Sequence, residues 1–580
     1  MYTKMKNRMI CLAASLALAL GIASCAEELS DDKTYRPPKG EPGLGVSFES
    51  KYNRYQKGQK HPGQNNAWKV QESWADTVWL NDRTHTQIVV WTNDDDYENL
   101  TYEVSDLTNG SNVIDKSYVK LRFGSYILGD AEPKDCSAPN PRPDMWIADA
   151  LSDTPVTKVT AEDPIKIWMT IDTPKDVAPG RYTGLFEVKS GGETTHVLDI
   201  QLQVANRVLP DVKDWEFHLD LWQFPYALSG QCSPKVEMCS DEYFALMEPI
   251  YRKLADAGQK TITTYIKGGV FYSPEDTMVK WTKKNDGTWS FDYTLFDKFV
   301  EKMMSWGITK QISCFSLAGW NRSVPYYDEA SGSNREMVFV DPTDTDGADQ
   351  IGGAVYQATW NAFLDSFKEH LNAKGWFSKA VLYMDEIPHE TMREVIRVIK
   401  EHDRNWKIGL AGSSLDADME AQMYDYSIFL TRQSQKSTAV KTFYTSCSHI
   451  HPNNYVTPQN NPAEMAWMGW HAAGNGYNGY LRWAYDNWRT GDPASARDTG
   501  ATAGDASMVY YLNKTSNANS VVPSIRLELL REGIQDYEKI RILNDPEVNS
   551  FAAGVGETTG SSAAYYVATG EALIAKASVK

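Results

Sequence analysis

A change of rhythm near residue 210 constrains this chain more than any other feature. Beyond it, short apolar runs suited to strands alternate with stretches of helical periodicity. The strand-like runs are Glu216–Trp222, Thr261–Ile266, Ile308–Leu317, Ala380–Asp385, Lys407–Ala411, Tyr426–Leu430, Lys441–Ser446 and Tyr477–Tyr485. Helical periods fall at Asp241–Ala257, Leu295–Trp306, Gln357–Ala373, Met392–His402 and Ala463–Ala473, and a long amphipathic stretch, Ile525–Leu543, closes the set. Alternation of this kind implies a parallel sheet, and eight such units over about 330 residues imply a (β/α)8 TIM-type barrel. The fifth and sixth helices are weakly signalled, which leaves an incomplete barrel open.

Before residue 210 the pattern has a period of two. Thr86–Trp91, Tyr118–Phe123, Ile165–Ile171, Gly184–Val188 and Val197–Val204 mostly alternate apolar with polar and are separated by turn residues such as Asn109-Gly110 and Pro179-Gly180. These are half-buried strands, and the region reads as an all-β sandwich. The expected organisation is an export signal at 1–24, a disordered tether at 25–44, a sandwich at 45–209, a barrel at 210–545 and a helical extension at 546–580.

The N-terminal boundaries rest on chemistry. Lys4, Lys6 and Arg8 precede an apolar run, Ile10 to Ile22, that is too short to span a bilayer stably. Ile22-Ala-Ser-Cys25 resembles the lipobox of bacterial lipoproteins, in which the cysteine is lipidated. Cys25 is therefore the expected lipid attachment point, and the acidic, proline- and glycine-rich stretch after it cannot bury a core. The expected location is a bacterial membrane, with the folded part facing the periplasm or the cell surface and touching lipid only through the anchor. The net charge of −18 falls to −21 once the signal and its three basic residues are removed. Such a surplus repels phosphate backbones and excludes nucleic acid as a partner class. Of seven cysteines, Cys11 and Cys25 belong to the leader, no Cys-x-x-Cys occurs, and no disulfide framework is expected. Cys232 and Cys239 are the pair close enough in sequence to join.

Sites in (β/α)8 barrels lie at the C-terminal ends of the strands. Those ends carry Asp220 and Trp222; Tyr265 and Lys267; Trp320 and Asn321; Asp385 and Glu386; Tyr444, His449, His451 and Asn453; and Trp483, Tyr485, Asp486, Asn487 and Trp488. Asp385-Glu386 ends a continuously apolar strand and precedes Ile387-Pro388, which favours extended backbone over helix. Two carboxylates there are costly unless they line a solvated pocket. The chain also holds 19 Trp and 31 Tyr, more amphipathic rings than a core readily accommodates. Flat rings, amides and a carboxylate pair at one face suit a sugar.

Rival chemistries are poorly supported. His449-x-His451 would offer two imidazoles to zinc, but a third ligand is evident only in Cys447 or Asp486, so no metal is expected. No Gly-x-Ser-x-Gly elbow, phosphate loop or dinucleotide fingerprint is present, so no cofactor is expected either. Acid–base work by carboxylates remains.

Tyr383-Met-Asp385-Glu386, Tyr444-Thr-Ser-Cys-Ser-His-Ile-His-Pro-Asn453, Gly479-Tyr-Leu-Arg-Trp483-Ala-Tyr-Asp-Asn-Trp488 and Ser524-Ile-Arg-Leu-Glu-Leu-Leu-Arg-Glu-Gly-Ile-Gln-Asp-Tyr537 together resemble glycoside hydrolase family 123. The resemblance implies an exo-acting β-N-acetylgalactosaminidase that retains anomeric configuration through an oxazolinium intermediate. Its partner would be an oligosaccharide ending in β-N-acetylgalactosamine, with glycosphingolipid glycans as an implied source. Glu386 would act as acid and base, and Asp385 would hold the substrate's acetamido N–H. Tyr444 and Tyr485 are candidates to bind the acetamido carbonyl. Trp222, Tyr265, Trp320, Asn321, His449, Trp483, Asn487 and Trp488 are candidates to line the pocket. Adjacent strand residues point to opposite faces, so the backbone must turn at Asp385 if both carboxylates serve one sugar. Two alternatives stay open: a two-carboxylate glycosidase with Asp220 or Asp486 as nucleophile, and a surface lipoprotein that binds glycans without cleaving them.

Overall fold

The computed structural model describes residues 43–59, 69–134, 136, 143–345, 349–432, 434, 438–489, 491–497, 500–512 and 521–580. The expected signal, Cys25 and nearly all of the expected tether lie outside the described residues. Among the described residues no helix is long and apolar enough to cross a membrane.

The N-terminal region is two packed β-sheets. One runs in the order Leu44–Glu49, Arg83–Thr92, Ile165–Asp172, Val119–Asp130, Asp144–Ser152. The other joins Ser73–Leu80, Glu193–Val208, Gly180–Ser190 and the short strands after residue 100. The alternating apolar residues face inward: Ile88, Val90, Ile167, Phe186, Leu198, Ile200 and Leu202 are all buried in one core. Asp144–Ser152 was not read from the sequence because it shows neither alternation nor a continuous apolar run: Asp149 is buried among Ile147, Ala148, Ala150 and Leu151. Its outer face packs Ile147 and Ala150 on Val456, Tyr510 and Val522 of the C-terminal domain.

The C-terminal domain holds eight parallel strands. We number them β1 (His218–Leu221), β2 (Thr261–Tyr265), β3 (Gln311–Phe315), β4 (Ala380–Asp385), β5 (Lys407–Gly412), β6 (Asp425–Phe429), β7 (Val440–Tyr444) and β8 (Gly479–Arg482). All eight coincide with runs read from the sequence. Neighbours in sequence are neighbours in the sheet, and β8 returns to β1. The barrel is nearly closed. At the β1–β2 seam the main chains meet through a single bridge, Leu219 to Gln259. Side chains supply the missing rungs: Gln259 accepts from Leu221 N–H (2.9 Å) and donates to Thr261 O (2.8 Å), while Gln223 Oε1 accepts from Thr263 N–H (2.8 Å).

Helices Asp241–Asp256, Thr294–Ser305, Ala354–Ala373 and His389–His402 follow the first four strands. The fifth is a single turn, Ala417–Glu420, and no sixth appears among the described residues, as the weak signals implied. Two features were missed, the hairpin of Val509–Tyr511 with Val521–Pro523 and a larger insertion. A five-stranded sheet, from Lys280–Lys283 to Asp349–Gln350, is inserted in the loops after β2 and β3.

The closing helix, Ile525–Leu543, joins the two domains. Ser524 caps it by accepting Leu527 N–H. Arg526 is fully buried and donates to Asp149 of the sandwich (2.9 Å), Tyr510 Oη (2.9 Å) and the carbonyls of Asn454 (2.9 Å) and Ser507 (2.8 Å). Removing one charge from such a network costs about 3–5 kcal/mol, because the partner is left buried and unpaired. Gly533 lets this helix cross Ala463–Asn475 closely: a Cβ there would sit 2.2 Å from Ala466 O. The segment that carries much of the family resemblance therefore builds the interface, away from the strand ends. Helix Ala563–Ser578 then packs on both of these helices and helix Pro546–Ala553 on Ala463–Asn475, and Trp79 of the sandwich donates to Ser578 Oγ at 2.7 Å.

Candidate active site

β4 ends at Asp385, and Glu386 stands in the left-handed region at φ 44° with its N–H donated to Ala411 O at 2.8 Å. A residue with a side chain is held there at a cost of order 1–3 kcal/mol, and such outliers gather at functional sites. The turn separates the environments of two neighbouring carboxyls. Asp385 is buried; Glu386 is exposed.

The two carboxyls have different partners. The side chain of Trp320, from the loop after β3, lies near enough to Asp385 to favour its charged form. Glu386 Oε1 accepts from Tyr444 O–H at 2.7 Å, at the end of β7. Burial pushes the Asp385 carboxyl well above the usual carboxylate range; the Glu386 charge adds to this and the nearby Trp320 side chain opposes it. Tyr444 is pushed up by burial and then by Glu386, so it stays a phenol and a donor.

An aromatic floor lies beneath. Trp222 is buried and meets Phe315 edge-on at 5.0 Å and Tyr383 at 6.2 Å. Tyr265 is buried too, with its O–H on Gln223 O (3.2 Å). Trp320 is 58% exposed and forms the open wall, next to the exposed Asn321, whose Oδ1 accepts Ser323 N–H (3.1 Å). Trp483, at the end of β8, is half-buried, donates to Asp505 Oδ2 (3.1 Å) and meets Phe224 edge-on. Asn487 is buried and donates to Tyr272 Oη at 2.6 Å. Tyr272 was missed: it lies past the Gly268-Gly269 turn, beyond where strand-end reading stops.

His449 packs on Phe429 at 4.3 Å and accepts Ser446 N–H at 3.3 Å; burial, with the Arg482 charge, lowers its pKa to about 4. His451 instead meets Glu464 at 3.0 Å, so the two imidazoles have separate partners.

Two candidates fall away from the mouth. Tyr485 is buried with its O–H on Ile250 O (2.9 Å), in the helix layer behind the barrel. Trp488 is 2% exposed within the main core. β8 ends at Arg482, and beyond it the irregular chain no longer follows strand alternation. The alternative nucleophiles are also sealed. Asp220 is buried on β1, and the Asp425 carboxyl lies near enough to help burial raise its pKa. Asp486 is buried and accepts Phe224 N–H at 2.8 Å, with burial raising its pKa to about 7.

Cys136 is disulfide-bonded to Cys447, which ties a sandwich segment to the loop carrying Tyr444 and His449. No disulfide framework was expected from the sequence, and Cys232 and Cys239, the pair close enough in sequence to join, are free thiols. Each sulfur packs against a different carbonyl, Leu228 O and Leu295 O, so nearness in sequence is not nearness in space.

Comparison with known proteins follows the same division. Residues 222–543 match the family model of the glycoside hydrolase 123 catalytic domain, and residues 48–190 match that of the glycoside hydrolase 123 N-terminal domain. A solved family 123 glycoside hydrolase from Clostridium perfringens, described for glycolipid glycan hydrolysis, superimposes with a TM-score of 0.80 at 22% identity, covering 92% of this chain and 99% of that one. That likeness shows the fold. A GH5 xyloglucanase from Bacteroides ovatus aligns over 84% of this chain and 100% of its own at 7% identity, but its TM-score of 0.24 carries no argument. No match to the sequence is found among curated proteins.

Proposed function

The chain belongs to glycoside hydrolase family 123, and from that premise we propose that it is a retaining, exo-acting β-N-acetylgalactosaminidase that uses its substrate's own acetamido group. The observation that carries the reading is the split carboxyl pair: Asp385 buried against Trp320, Glu386 exposed under Tyr444.

The acetamido oxygen attacks the anomeric carbon as the bond to the leaving oxygen breaks, and Glu386 gives that oxygen its proton. The ring that forms is an oxazolinium cation. Glu386 then takes a proton from water, which attacks the same carbon and restores the acetamide with net retention. Asp385 accepts the acetamido N–H and faces the positive charge that grows beside it. Burial alone disfavours an ionised Asp385; a cation at hydrogen-bond distance reverses that preference. The stabilisation therefore appears mostly in the transition state, where it lowers the barrier. Asp220 and Asp486 are each 1% exposed, which speaks against either as a nucleophile reaching the sugar.

Hydrolysis of paired chromogenic β-glycosides tests the proposal on protein starting after Cys25. The expected result is cleavage of the N-acetylgalactosaminide, slower cleavage of the N-acetylglucosaminide and none of the plain galactoside. Equal cleavage of the galactoside would remove the acetamido mechanism; binding without cleavage would favour a glycan-binding protein. Glycolipid glycans are the proposed natural source, as for the Clostridium perfringens relative.

We also propose that residues 1–24 direct export and that Cys25 anchors the protein to a bacterial membrane. Metabolic labelling with a fatty acid should mark the wild type and not Cys25→Ser. Equal labelling of both would refute the anchor.

A further inference from the structure

We propose that the Lys267 ammonium clamps the Trp320 loop over Asp385, which makes Lys267 a positioning residue and its proton a control on the site. The proposal rests on the glycosidase reading for its consequence in catalysis, but not for the clamp itself.

Lys267 lies two residues beyond the end of β2 and is 1% exposed. Its Nζ donates to Gly268 O (3.3 Å), Asn321 O (3.1 Å) and Ser323 O (2.8 Å). The first acceptor belongs to the β2 loop. The other two bracket Arg322 in the loop after β3 and directly follow Trp320. The same loops interlock elsewhere: Gly269, at φ 68°, lies so close to Asn321 that a Cβ would sit 2.9 Å from its amide nitrogen.

An ammonium has three protons for three carbonyls. A neutral amine has two, and it turns a lone pair toward a ring of carbonyl oxygens. Losing the proton therefore breaks at least one bond and weakens the rest, since charge-assisted hydrogen bonds are about twice as strong as neutral ones. Arg322 is matched by Asp341 at 2.7 Å, and Glu336, on the adjacent strand Ser333–Val340, is the carboxylate acting on Lys267. Burial outweighs Glu336 and lowers the lysine to about 7. The folded value lies below the unfolded one, so this group's contribution to global stability rises with pH between the two values. Local loosening of the loop is thus not accompanied by unfolding from the same proton.

Full-length protein labelled with 5-fluorotryptophan provides the test, with the Trp320 fluorine signal assigned through Trp320→Phe. Followed from about pH 5.5 to 9 in an Asp385→Asn background, which removes the neighbouring carboxyl as a titrating group, the signal should move with a midpoint near the lysine value when Lys267 is present, and stay fixed in Lys267→Met and in Lys267→Arg. Activity of Lys267→Met should fall about 10- to 100-fold, mostly in kcat, because small misplacements at a reacting centre cost that much. Lys267→Arg should lose part of the alkaline limb seen in the wild type. A Trp320 signal that does not titrate near neutrality, or that titrates equally in Lys267→Met, overturns the clamp even if the enzyme proves active. A titrating signal, together with a wild type that cleaves no glycoside, upholds the clamp and removes the glycosidase reading.

Discussion

Glu386→Gln is expected to lower kcat/KM on an N-acetyl-β-galactosaminide by about 10²–10⁴-fold, the usual worth of a general acid. The variant should fold normally. Glu386 is exposed, glutamine has the same shape, and Tyr444 O–H can donate to an amide oxygen as it does to the carboxylate at 2.7 Å. The loss should depend on the aglycone. A nitrophenolate leaves with little protonation, whereas an alcohol or sugar oxygen needs the proton, so the deficit should be smallest for the chromogenic substrate. Binding of N-acetylgalactosamine, measured by calorimetry, should change little. A loss under about tenfold on a sugar aglycone would place the acid elsewhere.

Asp385→Asn should combine lost activity with unchanged or improved stability. The amide cannot oppose the oxazolinium charge, and removing one such electrostatic contact costs about 10²–10³-fold in kcat. Stability follows from linkage. Burial raises the folded-state pKa of Asp385 above its unfolded value, so the folded protein holds the extra proton between the two. The stabilisation this gives is complete below the unfolded value and is lost as pH rises through the folded one. At neutral pH the wild type therefore carries a cost that asparagine does not. Thermal melts should show a Tm for Asp385→Asn at or above that of the wild type at pH 7, with the advantage shrinking toward about pH 4. A variant that melts well below the wild type at neutral pH would make Asp385 a structural group.

The sequence made the barrel legible because strands covered on both faces read as continuous apolar runs. Val381 to Met384 is such a run, and all four residues are fully buried. Closure of the barrel was not legible. It depends on the side chains of Gln223 and Gln259 filling a seam, and nothing in the pattern marks a glutamine as a rung. The inserted sheet escaped for the opposite reason. Ser333–Val340 is mostly exposed, so it lacks the apolar periodicity that identifies a strand. The aromatic excess was only partly a site signal. Trp79, Trp168, Trp360, Trp406, Trp467 and Trp470 are sealed core residues, whereas Trp320 is open beside the carboxyl pair.

At the site, the turn that the Asp-Glu pair requires could be argued from strand geometry, and Glu386 supplies it at φ 44°. Which carboxyl would be buried could not. That depends on Trp320 and Tyr444 arriving from β3 and β7, contacts more than fifty residues away in sequence. The same limit applies to the disulfide. Cys136 and Cys447 are 311 residues apart, and only the packing of the sandwich on the barrel brings them together. The polar residues of the closing helix look like a solvated face in sequence. In space Arg526, Glu528 and Gln535 are buried against the sandwich.

The most direct test of the central claim compares the N-acetyl and N-trifluoroacetyl forms of one β-galactosaminide aglycone. Fluorine withdraws electrons from the amide oxygen and makes it a poor nucleophile, but it barely changes the leaving group or the space the sugar occupies. If the acetamido oxygen attacks, as proposed here, kcat/KM should fall by well over about tenfold, equivalent to at least ~1.4 kcal/mol of barrel-site transition-state stabilisation. Equal rates for the two substrates would mean that a protein group attacks instead, and would contradict the roles assigned to Asp385 and Glu386.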